Sequence, residues 1–258
     1  TSLSEAIMRK KGYSLMEKLV ILGGGDGGMR IIQRLLQGGL PDGVELMLID
    51  RQPYHCLKTE YYALAAGTVA DQQVRVDFPE DPRLKIKYGT VTNINLEDKI
   101  VELDNGAEIV PYDKLVIGLG CEDKYHGVPG AKEYTYSIQS MESTRQTYEA
   151  LTNVRPNGVV SIVGAGLSGV ELASELRESR SDLTIRLFDR GEIILSSFPR
   201  KLSTYVQNWF LEHGVEVINR SNITKVEEGA LYNHDERIES DIVIWTAGVQ
   251  PVEVVRKL

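Results

Sequence analysis

Leu19-Val20-Ile21-Leu22-Gly23-Gly24-Gly25-Asp26-Gly27-Gly28 sets four apolar residues directly against a glycine cluster, and a helical pattern from Met29 to Leu36 follows without a break. That order predicts a buried strand, a tight turn and a helix. A second apolar run, Leu46-Met47-Leu48-Ile49, then ends in Asp50. Gly23, Gly25 and Gly28 occupy the positions of a GxGxxG loop, and Asp50 stands 22 residues after the last of them. Each part meets a need of a bound dinucleotide. Glycine lets backbone come close to a pyrophosphate, the helix N-terminus offers the positive end of its dipole, and an acid ending the second strand can accept hydrogen bonds from ribose hydroxyls.

The whole arrangement occurs twice. Val159-Val160-Ser161-Ile162-Val163 leads into Gly164-Ala165-Gly166-Leu167-Ser168-Gly169, a helix is predicted from Val170 to Glu178, and Leu183-Thr184-Ile185-Arg186-Leu187-Phe188 ends in Asp189, 20 residues after Gly169. Short alternating segments follow each acid: Leu84 to Tyr88, Val91 to Asn95 and Ile100 to Leu103 in the first copy, and Val215 to Ile218, Ile223 to Val226 and Arg237 to Glu239 in the second. Each set is read as a small antiparallel meander. Each copy then closes on a buried strand running into glycine, Lys114 to Gly120 and Asp241 to Gly248. Gly127-Val128-Pro129-Gly130 marks a turn between the copies, and Ile138 to Leu151 reads as a helix.

The expected fold is therefore α/β, with two Rossmann-like dinucleotide-binding domains, the second inserted after the first, each carrying its own meander. Residues 16–135 form the first domain and 136–258 the second. Residues 1–15 show no strand pattern and are read as a tag or non-native leader, with Met16 as the start. A lone glycine loop is weak evidence, but each one here has its strand, helix and acid. Two nucleotide sites in one chain point to electron transfer between two cofactors, because a dehydrogenase acting on one substrate needs a single site.

Composition narrows the class. With 258 residues, 42% hydrophobic and 26% charged, the chain is long enough for two domains with real cores. A net charge of −8 and the lack of any lysine and arginine stripe argue against nucleic acid. The two cysteines, Cys56 and Cys121, are too far apart for a CxxC pair or a zinc cluster, so no metal site is expected. No run of about 20 apolar residues is present to span a bilayer, and the leader lacks the apolar stretch of a secretory signal, which fits a cytoplasmic setting. The Asp189 carboxylate should repel a 2′-phosphate and favour NADH over NADPH, while the adjacent Arg190 is either a counterweight or a solvated loop charge.

Four further stretches carry a family resemblance: Asp50-Arg51-Gln52-Pro53-Tyr54-His55, Gly127-Val128-Pro129-Gly130-Ala131, Gly169-Val170-Glu171-Leu172-Ala173 and Trp245-Thr246-Ala247-Gly248-Val249. With the two loops they make the chain resemble the type II NADH dehydrogenases, in the wider group of FAD- and NAD(P)-binding pyridine nucleotide-disulfide oxidoreductases, over nearly all of Leu19 to Pro251. The resemblance implies a flavoprotein with FAD in the first domain and NADH in the second. Hydride would pass from NADH to FAD, and electrons from there to an acceptor such as a quinone. It implies that Gly23, Gly25, Gly28, Asp50, Arg51, Lys58 and Gly120 serve FAD, and that Gly164, Gly166, Gly169, Glu171, Asp189 and Gly248 line the NAD site, with Glu171 as the catalytic candidate close to the reacting rings.

Plainer readings stand beside these. Ser168 to Glu171 matches a capping box, which would give Glu171 a purely structural duty. Lys58 is either a cation tuning the flavin or a surface lysine, His55 is read as packing, and Cys121 as a small buried hydrophobe. The family's later segment, with its glycine-aspartate pair and membrane-binding region, does not follow Gly248, so the FAD domain is expected to be incomplete and to lack its C-terminal part. A sulfide:quinone or ferredoxin reductase-like flavoenzyme shares the same loops, and a truncated, non-catalytic dinucleotide-binding protein is the alternative of another class. A peripheral place on the inner face of the cell membrane would need the later segment, and homodimer formation stays open.

Overall fold

The computed structural model describes residues 16–258, so the leader read at 1–15 lies outside the described residues. The chain divides into two compact units that interleave along the sequence. Among the described residues, one holds 16–57 together with Arg75–Gly120 and Pro251–Leu258, and the other holds Lys58–Val74 and Cys121–Gln250. This differs from a single boundary at 135. The helix Tyr61–Ala66 packs on Met141–Asn153 and Leu167–Ser179 of the second unit, and Val254 near the chain's end packs into the core of the first. Burial, which decides unit membership, is not written in sequence order.

In the first unit four parallel strands run in the order Leu84–Tyr88, Val44–Asp50, Glu17–Leu22, Lys114–Ile117. Leu22 is in register with Ile49 on one side and Ile117 on the other, and Asp50 lies opposite Tyr88. The period-two pleat of the central strand sorts its side chains between two cores. Ile21 points with Leu46 and Leu48 toward Met29 and Ile32 of the helix Asp26–Arg34. Val20 and Leu22 point the other way, onto Ile94, Val101, Leu103 and Val110 of the meander. Burying each such side chain stabilises the fold by roughly 1.5–3 kcal/mol, so every central residue helps hold one layer or the other to the sheet.

The second unit repeats the plan. Its parallel order is Glu216–Ile218, Thr184–Phe188, Val159–Val163, Ile242–Trp245, and Val163, Phe188, Val243 and Trp245 pack on Ile223, Val226 and Leu231 of its meander. Tyr136 adds a parallel bridge to Ile244.

Both copies correct the same expectation. Leu84–Tyr88 and Glu216–Ile218 are third strands of the parallel sheets, not meander strands. The meanders are completed instead by Glu108–Pro111 in the first unit and Ala230–Asn233 in the second. A short alternating strand carries the same pattern wherever it pairs, and only packing selects its neighbour.

The turns between strand and helix are built alike. Gly23 (φ +94°) and Gly164 (φ +105°) start the loops in the region that disfavours side chains, and a methyl on either would press on the closing strand, on Gly118 or on Thr246 and Ala247. A methyl on Gly28 would collide with the Gly23 carbonyl oxygen, and one on Gly169 with that of Gly164. Gly25 and Gly166 have nothing within 4 Å of where a methyl would sit. We therefore expect Gly28→Ala and Gly169→Ala each to lower unfolding free energy by roughly 2 kcal/mol, and Gly25→Ala and Gly166→Ala by under about 1 kcal/mol, measured by urea denaturation.

Candidate functional site

Each unit presents a helix N-terminus through a glycine loop, and an aspartate from the neighbouring strand holds that loop in place. Asp50 Oδ2 accepts from the Gly24 N–H at 2.6 Å and its Oδ1 from the Gln52 N–H at 2.7 Å. Asp189 Oδ2 accepts from the Ala165 N–H at 2.9 Å and its Oδ1 from the Gly191 N–H at 2.7 Å. The sequence pattern offered these acids as ribose acceptors. The structure adds that each carboxylate spans from the glycine loop to the turn after its own strand. A carboxylate oxygen has more than one lone pair, so both remain able to accept from a ligand hydroxyl.

The backbone completes each loop in parallel. Gly23 N–H donates to Ile49 O and Gly164 N–H to Phe188 O, each at 2.8 Å, while Gly118 N–H reaches Leu22 O at 2.7 Å and Thr246 N–H reaches Val163 O at 2.8 Å. The middle glycines are the N-caps of their helices, with no side chain capping either one. Amides of the first turn are therefore left facing the open space above Gly25 and Gly166.

The first unit adds His55, which is buried as the sequence reading expected. Its Nδ1 bonds the Gly24 carbonyl at 2.8 Å and its Nε2 lies 3.4 Å from Asp26 Oδ1, so it braces the glycine loop. Arg51 is exposed beside Asp50, and Gly120 (φ +74°) lies exposed just beyond the closing strand. Lys58 falls in the second unit, where it donates to Gln139 Oε1 at 2.8 Å. Cys121 is exposed, which corrects its reading as a buried hydrophobe.

In the second unit the structure removes the capping-box reading of Glu171. The N-cap is Gly166, two residues before Ser168, so Ser168 lies inside the helix. Glu171 is half-buried, and burial pushes its carboxyl up from the ordinary glutamate value, helped by the negative charge of Glu60. The same group of acids, Glu60, Glu171 and Glu175, raises Tyr62, whose own shift comes first from burial. Gly248 (φ +125°) follows Ala247, whose carbonyl is bonded by His126 Nε2 at 2.8 Å.

Thr246 is a residue the sequence reading passed over as a site element. Its hydroxyl reaches Val163 O at 3.0 Å and Gly164 O at 2.8 Å, tying the closing strand to the first glycine of the loop. The signal was present in Trp245-Thr246-Ala247-Gly248, since Thr246 stands where Gly118 stands in the first copy.

Comparison with known proteins agrees with this geometry. A family model described as pyridine nucleotide-disulphide oxidoreductase matches residues 17–257. The NADH dehydrogenase-like protein YutJ of Bacillus subtilis is 63% identical over 243 residues, covering 94% of this chain and 68% of that protein. A type II NADH:quinone oxidoreductase of Staphylococcus haemolyticus is 24% identical over 263 residues, covering 91% of this chain and 65% of that one. The solved structure of NDH2 from Plasmodium falciparum in complex with NADH matches with a TM-score of 0.82 at 18% identity, over 94% of this chain and 57% of that chain, a likeness of fold. The chain thus spans about two thirds of the length of the curated relatives it matches.

The raised Glu171 carboxyl fixes a direction for stability. Below the ordinary glutamate value it is protonated in folded and unfolded chains alike and costs nothing. Between that value and the higher folded one the native state keeps a proton that the unfolded chain releases, so stability falls as pH rises through the window. Glu171→Gln should remove that loss. We expect its melting temperature to match the parent near pH 4 and to exceed it at neutral pH by about 1 °C, a small effect because solvent screens a half-exposed group.

Proposed function

The chain belongs to the pyridine nucleotide-disulphide oxidoreductase family, and on that premise we propose that it is the dinucleotide-binding part of an NADH-oxidising flavoprotein, with FAD in the first unit, NADH in the second and a quinone as acceptor. The observation that carries the proposal is the twofold loop. Two helix N-termini, each under a glycine with nothing within 4 Å above it and each held by a strand-end aspartate, fit two pyrophosphates. When bound, the two cofactors supply hydride transfer from nicotinamide C4 to flavin N5 and onward electron transfer.

The residues of the chain then bind and orient. In the first unit the amides after Gly25 face the FAD pyrophosphate, Asp50 accepts from its ribose, and Gly28 keeps the helix close enough to the strand for both to act. In the second, Gly166 and Gly169 do the same for NADH. Asp189 holds a fixed negative charge at the ribose, which discriminates against a 2′-phosphate. Glu171 faces Glu60 in a partly desolvated setting and is the group available to position the nicotinamide. The similarity to the named NADH:quinone oxidoreductase supports the acceptor class.

The test is an absorbance spectrum from 300 to 550 nm, before and after NADH is added without oxygen. The proposal expects flavin bands that bleach. Gly25→Ala should weaken FAD retention about tenfold and leave NADH affinity unchanged, and Gly166→Ala should do the reverse, each by filling the space a pyrophosphate needs. A chain that reconstitutes with no flavin, or whose flavin ignores NADH, would overturn the proposal.

A further inference from the structure

The second unit differs from the first at the turn that follows its closing strand. Gly120 and Gly248 stand at matching places, two residues after Gly118 and Thr246. Among the described residues nothing lies within 4 Å of where a methyl on Gly120 would sit, whereas one on Gly248 would stand 3.2 Å from Nε2 of His126. An imidazole therefore covers the later turn. The segment Lys124-Tyr125-His126 holds that turn residue by residue. Lys124 N–H donates to the Gly248 carbonyl at 3.0 Å, Trp245 Nε1–H donates to the Lys124 carbonyl at 3.0 Å, and the Tyr125 ring lies against Trp245 with centroids 5.9 Å apart. His126 Nε2 completes the set, 2.8 Å from the Ala247 carbonyl. A carbonyl oxygen only accepts, so Nε2 carries the hydrogen and donates it.

Ala247 is the residue through which this contact reaches the nucleotide loop. A methyl on Gly164, the first glycine of that loop, would stand only 2.7 Å from Ala247 Cα. Ala247 thus meets the loop by packing and His126 by a hydrogen bond. The backbone around the bond is ill suited to keep one shape unaided, since Gly248 (φ +125°), His126 (φ +52°) and Gly127 (φ +72°) all have positive φ. Glycine and asparagine enter the left-handed region readily, and a larger residue stays there only where its contacts hold it. At position 126 the imidazole is kept in a conformation that asparagine would adopt with less strain.

We propose that His126 is a positioning residue of the second dinucleotide site, fixing the Ala247–Gly248 turn against the Gly164 loop through its bond to the Ala247 carbonyl. The proposal rests on the reading of the second unit as the NADH site. With Ala247 fixed, the loop and the turn beside it keep the spacing that a nucleotide must find already formed, so the turn is ordered in folding and not on binding. Without the bond the turn samples other shapes, and affinity falls by the free energy of ordering it. Nothing comparable covers Gly120 among the described residues, so FAD in the first unit is indifferent to position 126.

The test is calorimetric titration of the full 258-residue chain, loaded with FAD, with NAD+, which oxidised flavin does not consume. The variants are His126→Asn and His126→Gln. Asparagine suits the backbone, but its amide falls one carbon short of Ala247, while the glutamine amide nitrogen stands as many bonds from Cα as the imidazole Nε2 does. H126N should bind NAD+ about fivefold more weakly, the worth of one hydrogen bond, and H126Q should stay within about twofold of the parent. H126N should melt within about 3 °C of the parent, because relief of backbone strain offsets the lost bond, and both variants should retain FAD as the parent does. An H126N chain that binds NAD+ as tightly as the parent would overturn the proposal. So would an H126Q chain as weak as H126N, since the bond would then not be what positions the turn. A parent that bound no NAD+ would overturn the nucleotide reading itself, and the brace with it.

Discussion

The hydrogen bond from a strand-end carboxylate to the backbone of a glycine loop organises each unit. Asp50 fixes the Gly24 amide and Asp189 the Ala165 amide, and in both cases the second carboxylate oxygen fixes the turn that leads away from the strand. One charged group thereby sets the loop against its neighbouring strand, aims the first turn of the helix outward and keeps a negative charge where a ribose would lie. Charge-assisted bonds of this type are about twice as strong as neutral ones, which suits a loop too rich in glycine to hold one shape by itself. The close approach of helix to strand depends on that order, since Gly28 and Gly169 each lie against the carbonyl of their loop's first glycine.

The two copies solve the same problem with different supporting residues. His55 braces the first loop through the Gly24 carbonyl. Thr246 braces the second through the Gly164 carbonyl, at the position where the first copy has Gly118. Duplicated folds that retain one geometry while replacing its props are under the same local constraint, satisfaction of backbone groups beside a buried turn.

Much of this was legible in the residues. The glycine spacings, the acids at Asp50 and Asp189 and the helices after them are local patterns, and local patterns survive folding. The elements that were misread are those whose neighbours are chosen by packing. Leu84–Tyr88 and Glu216–Ile218 carry a strand pattern that fits a meander as well as a sheet edge, and Glu108–Pro111 is short, largely exposed and ends in proline, so it does not announce itself. Tyr61–Ala66 belongs to the second unit because of the helices it packs on, far away in sequence. Ser168 and Glu171 matched a capping box, yet the helix begins earlier, at Gly166, because the strand-to-helix turn sets its start.

The central claim is that the chain has two separate dinucleotide sites, one for each carboxylate-held loop. Equilibrium dialysis against NAD+, which oxidised flavin does not consume, with the chain first stripped of flavin and then loaded with FAD, tests it most directly. Two sites predict one NAD+ bound per chain in both states and one FAD per chain in the second. If FAD instead displaced NAD+ mole for mole, the loops would share one ligand and the claim would fail.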